Sequence, residues 1–577
     1  MVVETETQTP LELEGFDEFV LDTMKQWKVP GTAIAIARDG EIVFSRGFGL
    51  RDVEADLAVT PETLFAIGSS SKAFTTMTMG LLADEGKLDW DTPARHYLPS
   101  FAMHDRFAGE RMTPRDLVTH RSGLPRHDLA WYNSSATRRE LVERLQYLEP
   151  SKDFRTVFQY QNLMFLTAGY LVGEIAGSSW EEVLQERLLA PLGMANSNTS
   201  VEVSRHSDNF AYPYDEKDGA VTRIPFRDIS TVGPAGSINS SIADMGNWLL
   251  LHLNKGMHGE TRLISEGQLS EMHKPQMVVD PTFLAPFEEL PYASYGMGWL
   301  IQPYLDHPMI HHSGGIDGFT ALVTFMPRDN IGAVILTNLN GNPTPYILAH
   351  HLYERLLGLE PLPWNERYQK LYDEAKSATA TAKEQTASNR VPNTTPSHAL
   401  AEYSGEYHHP GYGTATVALD GDALTFTYNN MTRALAHYHY DIFDFTDDLF
   451  EMRFAVSFVT GEKGAIERLS VPLEPAVDPI VFKRLPAKAM TEPDFLAQFV
   501  GEYDVMGTTL HVALKGEHQL VASLPGQPGL ELEGVQGMEF TVKGMPGFSL
   551  AFQTDEAGTV TGAVLTQPGG AFQATKR

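Results

Sequence analysis

Between Thr32 and Asp52 the chain reads TAIAIARDGEIVFSRGFGLRD, two largely apolar runs that meet at Asp39-Gly40. An Asp-Gly pair between such runs predicts a β-hairpin, because both central residues of its tight turn need a positive φ. Ser71–Leu88 has helical spacing and stops at Gly86, and Phe165–Gly177 reads as a helix ending on its own glycine. Phe319–Gly341 gives two apolar strands around Pro327-Arg328-Asp329-Asn330, followed by a closing helix over Pro345–Gly358. Strands at both ends and helices between them predict an α+β domain over residues 1–365. Its antiparallel sheet is completed by both ends of the domain and flanked by helices, with a helical insertion and a short tail at residues 1–15.

The pattern changes at 366–398, which is charged and then rich in Ala, Thr, Ser, Asn and Pro. This predicts a linker, with a helix as one form for its start. Beyond it only strand and turn patterns remain, and they repeat. Leu400-Ala-Glu-Tyr-Ser-Gly-Glu-Tyr407 matches Leu496-Ala-Gln-Phe-Val-Gly-Glu-Tyr503, and Val417-Ala-Leu419 matches Val512-Ala-Leu514. Gly464-Ala-Ile466 and Gly558-Thr-Val560 close the two copies. Two all-β barrel-like modules are expected, 399–486 and 487–577, the alternative being one larger barrel or sandwich built from both halves.

Charge and composition narrow the function. The 577 residues contain no cysteine, which excludes disulfides, thiolate metal sites and a cysteine nucleophile. A net charge of −30 argues against nucleic acid as a partner, since phosphate binding needs a basic surface. No apolar run of about 18 residues predicts a membrane span. The start, MVVETETQTPLELEGF, lacks a basic segment followed by an apolar one. No secretory signal is therefore expected, and the cytoplasm is the expected location.

Three segments carry candidate chemistry. Ser69 and Lys72 form S-x-x-K at the start of a helix, where a three-residue step keeps both side chains on one face. There the amine reaches the hydroxyl, and free N–H groups point at the same spot. Read alone, Ser69 is an ordinary N-cap and Lys72 a solvated residue. Tyr160 and Asn162, two apart before an apolar helix, point to one side if the segment is extended. A lysine ammonium nearby would favour the phenolate of Tyr160, and Asn162 has an amide to donate to a substrate carbonyl. Read alone, they are a core tyrosine and a helix start. In His311-His312-Ser313-Gly314-Gly315 the glycines permit close approach to the backbone, and the Gly315 N–H with that of Ser69 would form an oxyanion hole. Read alone, this is a glycine-rich turn. Arg126–Tyr132 and Asp280–Tyr292 are candidate pocket loops. His437 and His439 alternate along a strand, and neither a metal nor a cofactor is expected.

Together, Ser69-x-x-Lys72, Tyr160-x-Asn162 and His312-Ser313-Gly314 resemble the serine β-lactamase and penicillin-binding-protein-like superfamily, in the branch of class C β-lactamases, D-aminopeptidases and family VIII esterases. Val29-Pro-Gly31, Thr119-His-Arg-Ser-Gly-Leu-Pro125 and Tyr295-Gly-Met-Gly-Trp299 agree, over roughly residues 16–360. The resemblance implies an acyl-enzyme in which Ser69 attacks an amide or ester, Lys72 and Tyr160 move its proton, and the Ser69 and Gly315 N–H groups hold the oxyanion. Asn162, His312, Ser313 and Gly314 would line the substrate. Lys-Thr-Gly is usual where this chain has His312-Ser313-Gly314, and a histidine offers at most a pH-dependent charge. The expectation is therefore a D-aminopeptidase-like hydrolase of small-molecule or short-peptide amides. A carboxylesterase, a weak β-lactamase, an acyltransferase or an idle binding or sensor homologue would use the same scaffold. D-aminopeptidases resembling this chain carry two lipocalin-like barrels, a loop of which can reach the catalytic mouth. A stability or homo-oligomerisation role is the other reading of these modules.

Overall fold

The computed structural model describes residues 2–4, 11–447 and 452–577. The chain forms two compact units. One holds Met1–Arg390 together with Pro410–Tyr412 and Leu473–Asp478; the other holds Val391–His409, Gly413–Pro472 and Pro479–Arg577. Of the expected tail, residues 1 and 5–10 lie outside the described residues. Val2–Glu4 pairs antiparallel with Phe48–Arg46, and Leu11–Leu13 forms a short 3-10 turn.

In the first unit, strands β1 (Gly31–Arg38) and β2 (Glu41–Asp52) form the expected hairpin, with Asp39 at φ +54° and Gly40 at φ +86° at its turn. Strands β3 (Leu300–Tyr304), β4 (His307–Ile316), β5 (Phe319–Met326) and β6 (Ile331–Thr337) follow late in the chain. The ladder runs from Val2–Glu4 through β2, β1, β6, β5, β4 and β3 to the short strands Ser294–Tyr295 and Met277–Val278. Thus β1 pairs with β6 along its whole length, Ile34 opposite Ile335, and the two ends of the unit close one antiparallel sheet.

Both faces of this sheet are covered, which is why β1, β5 and β6 are almost wholly apolar rather than alternating. Helices α1 (Phe16–Gln26), α2 (Ser71–Asp84), α3 (Asn162–Ala176), α4 (Ile242–Leu253), α5 (Thr344–Leu357) and α6 (Trp364–Ser388) are the main ones. Ile34, Ile36, Leu322 and Ile335 share a core with α1 and α5 on one face, while α4 packs on the other. Helix α2 is buried on nearly every side, with Phe74 stacked on Trp248 of α4 at 3.8 Å. Short helices between α2 and α3 supply the insertion. The stretch 366–398, expected as a linker, is helical from its start, as α6. Trp364 anchors α6 by donating its indole N–H to the buried Glu354 carboxylate at 2.7 Å.

In the second unit the repeat becomes two closed eight-stranded antiparallel barrels, Gly405–Arg484 and Gly501–Lys576, rather than one larger barrel. Inward apolar residues alternate with outward polar ones, as in Ala423–Tyr428. The repeated motif has one physical task in both copies. The Tyr407 hydroxyl donates to the Tyr403 carbonyl at 2.8 Å, and that of Tyr503 to the Phe499 carbonyl at 2.8 Å. Gly405 and Gly501 both sit at φ +155°, against Arg484 and Lys576 respectively.

Tyr407→Phe and Tyr503→Phe each strand a buried carbonyl and should each cost about 1–2 kcal/mol in their own barrel. Urea unfolding followed by circular dichroism should show shifts of similar size for the two variants.

Candidate functional site

Ser69 lies on the 3-10 turn Gly68–Ser70 that leads into α2. This turn is held on two sides. Phe65–Ala66 pairs with Ser240–Asn239, and the Ser71 hydroxyl accepts the Ile238 N–H at 3.1 Å. Across from it the Ser70 hydroxyl donates to the His312 carbonyl at 3.2 Å. The approach to β4 is backbone on backbone. A Cβ at Gly314 would sit on the Ile67 carbonyl and 2.9 Å from the Ser69 nitrogen. A Cβ at Gly68, itself at φ +51°, would lie 2.8 Å from the Gly315 nitrogen. The glycines of this motif lie within a paired strand, Gly314 opposite Ala321, and not in a turn ahead of one.

Lys72, the second residue of α2 and one helical turn beyond Ser69, is fully buried. Its Nζ reaches Ser69 Oγ at 2.9 Å, Asn162 Oδ1 at 2.8 Å and the Ala235 carbonyl at 2.8 Å. All three are neutral oxygens. Burial holds its pKa well below the usual lysine value, and the Arg126 guanidinium lowers it further while Asp128 opposes. An ammonium would use its three N–H groups on these oxygens. The neutral amine keeps two of them and turns its lone pair to the Ser69 hydroxyl.

Tyr160 covers the amine, its ring centre 4.7 Å from Nζ, and its phenol hydrogen-bonds the Ser69 hydroxyl. The expected push toward phenolate is reversed. Burial raises the phenol's pKa, and it outweighs the lowering effects of the Ser69 hydrogen bond and of Arg126. Tyr160 therefore stays a phenol. Asn162 opens α3 as its first residue, after Gln161 caps the helix by accepting the Leu163 N–H at 2.7 Å. Besides meeting Lys72, Asn162 donates Nδ2–H to Asp128 at 3.0 Å, so its amide bridges two side chains as well as facing the site.

His312 is buried and neutral, burial bringing its pKa down to about 3 with Lys72 adding to the effect. Its Nδ1 lies 2.6 Å from the Ser313 carbonyl, which can only accept, so Nδ1 carries the proton. Nε2 then accepts the Tyr295 hydroxyl at 3.0 Å. Ser313 points to the opposite face of β4, where it meets the Tyr346 hydroxyl of α5.

The structure thus gathers Ser69, Lys72, Tyr160 and Asn162 directly, with Gly314 and Gly315 behind Ser69. His312 reaches the cluster through Tyr295, and Ser313 sits on the far side of the strand. Sequence reasoning did not single out His120, whose ring lies 4.3 Å from that of Tyr160 and 4.6 Å from that of Tyr295. Its Nδ1 accepts the Gln161 N–H at 3.0 Å. The only sequence signal was its place in the Thr119–Pro125 segment. The Ala235 carbonyl was also missed, because a main-chain acceptor leaves no mark on residue type. The candidate loop at 126 is close by, with the Arg126 guanidinium 5.1 Å from the Tyr160 ring centre and paired to Asp128 at 2.5 Å. Within the same unit the neighbouring His127, at φ +46°, donates its N–H to Glu474 at 2.8 Å and accepts the Tyr412 hydroxyl at 2.7 Å. Those bonds fix the backbone that carries Arg126 and Asp128.

A two-sided antiparallel sheet, a buried helix just after Ser69 and an amine one helical turn beyond that serine define the scaffold of the serine β-lactamase and penicillin-binding-protein-like superfamily. The Beta-lactamase family model matches residues 16–358, and the chain belongs to that family. A domain of unknown function, DUF3471, matches residues 389–484, which include the first barrel. Among curated relatives, an unguisins hydrolase of Aspergillus campestris is 30% identical over 73% of this chain and 80% of its own length. A second, of Aspergillus violaceofuscus, is 27% identical over 71% and 77%. Protein flp of Staphylococcus aureus is 24% identical over 58% of this chain and 65% of its own. The octameric penicillin-binding protein homologue from Pyrococcus abyssi shares the fold, with a TM-score of 0.55 and 24% identity over 82% of this chain and 100% of that one.

Gly314→Ala should displace the Ser69 turn and slow labelling of Ser69 by a fluorophosphonate probe about 10²-fold or more. Gly315→Ala, whose Cβ would meet nothing within 4 Å, should label at the normal rate.

Proposed function

We propose that this chain is a serine hydrolase acting through an acyl-enzyme on amide or peptide bonds of small substrates. The observation that carries the reading is the buried Lys72 amine 2.9 Å from Ser69 Oγ, held where its protonated form is disfavoured. Neutral Lys72 takes the Ser69 proton as Oγ attacks the carbonyl carbon. The N–H groups of Ser69 and Gly315 receive the oxyanion. The Tyr160 phenol, hydrogen-bonded to Ser69, gives its proton to the departing amine and regains one from Lys72. Water then enters by the reverse relay, and the acyl–Ser69 bond breaks. Asn162 holds the amine in line.

A neutral His312 supplies no fixed cation at the place where Lys-Thr-Gly members have one, which favours uncharged amides over β-lactam carboxylates. The hydrolases named for unguisins support hydrolysis as the reaction and make unguisins one substrate to assay. D-aminopeptidase-like stereochemical preference is the finer form of this proposal. The octameric homologue makes a homo-oligomer the assembly to look for by sedimentation.

Ser69→Ala should abolish turnover with the fold intact. Lys72→Ala and Tyr160→Phe should each lower kcat about 10²–10⁴-fold. Parallel rates on amino-acid p-nitroanilides and p-nitrophenyl esters check the bond type, and turnover of short esters alone would replace the amidase reading by a carboxylesterase.

The pH profile tests the role of Lys72. As a base with a depressed pKa, it is active above that pKa, and activity falls as pH drops through it. Arg126→Ala removes a lowering charge and should move the acid limb of kcat/KM to higher pH. Asp128→Asn removes a raising charge and should move it to lower pH.

A further inference from the structure

On the face of β4 opposite His312 lies a cavity of about 310 Å³. Its floor is the sheet, where Ser313 stands directly across from Leu322. Its roof is α5, through Tyr346 and Ala349, and one wall is the loop carrying Phe283. A dry cavity of about 150 Å³ takes up benzene, so this volume holds a bicyclic aromatic or a large branched side chain.

Two of the lining residues also border the catalytic cluster. The Phe283 ring lies parallel to that of Tyr160, 6.0 Å away at 21°, and edge-on to Phe158 at 5.3 Å. Ser313 precedes Gly314, the residue pressed against the Ser69 turn, and is tied to Tyr346 across the cavity. Among the described residues the lining contains no Asp, Glu, Lys or Arg. Its two histidines, His311 and His350, are neutral at pH 7, burial bringing their pKa values down to about 4 and about 3. An ion placed there would lose its hydration and gain no counter-charge.

We propose that this cavity is a specificity subsite of the Ser69 centre that takes a neutral aromatic or large branched group of the substrate. The proposal rests on the hydrolase reading above. It explains why the loop at 280–292 combines Phe283, Leu284 and Leu290 with a position beside Tyr160. Its occupant is chosen by apolar area and by exclusion of charge.

The test has two arms. In the first, kcat/KM is compared for N-acetylphenylalanine and N-acetylglycine methyl esters of both hands where chiral, and for 2-naphthyl and methyl acetates. The native chain should prefer the bulky member of at least one pair about tenfold or more. Ala349→Phe, which fills the cavity from the roof, should erase that preference, and Leu322→Phe should do so from the floor if the first variant fails to fold. A preference unchanged by a folded filling variant, or no preference in either pair, overturns the proposal. In the second arm, the neutral fluorophore 2-acetylnaphthalene is titrated into Ser69→Ala protein, which needs no turnover. One-to-one binding weakened at least about tenfold by the filling variant supports the subsite even if neither ester nor amide is cleaved, in which case the hydrolase reading alone fails. Absence of binding, or binding indifferent to the filling, overturns the subsite.

Discussion

A single amine taken out of water organises this molecule. Lys72 sits inside the protein with three neutral oxygens around it and no carboxylate in contact. Leaving such a group charged without a partner carries a large desolvation penalty, so the proton affinity falls and the neutral amine facing the Ser69 hydroxyl is favoured. Each of the three oxygens comes from a different part of the chain: the α2 start, the α3 start and the turn at Ala235. The first unit has to fold as a whole for this one group to be satisfied.

The sheet is what brings those parts within reach. β1 and β6 pair along their full length, and β4 is then placed so that Gly314 and Gly315 touch the Ser69 turn without side chains between them. A one-residue slip of β4 would exchange His312 with Ser313 and move every contact to the wrong face. That constraint ties the register of a strand to the position of a backbone N–H, and it also separates two environments. On one face His312 leans on Tyr295 beside the Ser69 cluster; on the other Ser313 and His311 line a neutral cavity under α5.

Much of this was legible in the residues. The hairpin at Asp39-Gly40, the helix stops at Gly86, Gly177 and Gly358, and the duplicated motif around Tyr407 and Tyr503 all follow from local rules, since a turn or a cap needs a particular φ within a few residues. S-x-x-K implied its own geometry for the same reason, because one helical turn brings position 72 over position 69. Tyr160 and Asn162 were recognisable as candidates, but their partners were not. The protonation of Tyr160 runs against the expectation because burial outweighs the pull of the neighbouring cation, and the extent of burial belongs to the folded chain. The parts of His120, Ala235 and Tyr346 were not legible, although two of them lie in motifs that were, because a stacked ring, a main-chain carbonyl and a helix tyrosine look the same in any core.

The sequence by itself determined most of the elements, the sheet flanked by helices, the duplication in the tail and the identity of the hydroxyl, amine and phenol, since each of these depends on short-range spacing or on composition. The closure of that duplication into two separate barrels was decided by the tertiary structure. Only the tertiary structure decided which groups are charged, which face each residue of His311–Ser313 takes, and what lies behind the strand. Those properties depend on how much water is excluded and on which distant atoms replace it, quantities that arise only when segments about 90 and 240 residues apart close around the same few ångströms.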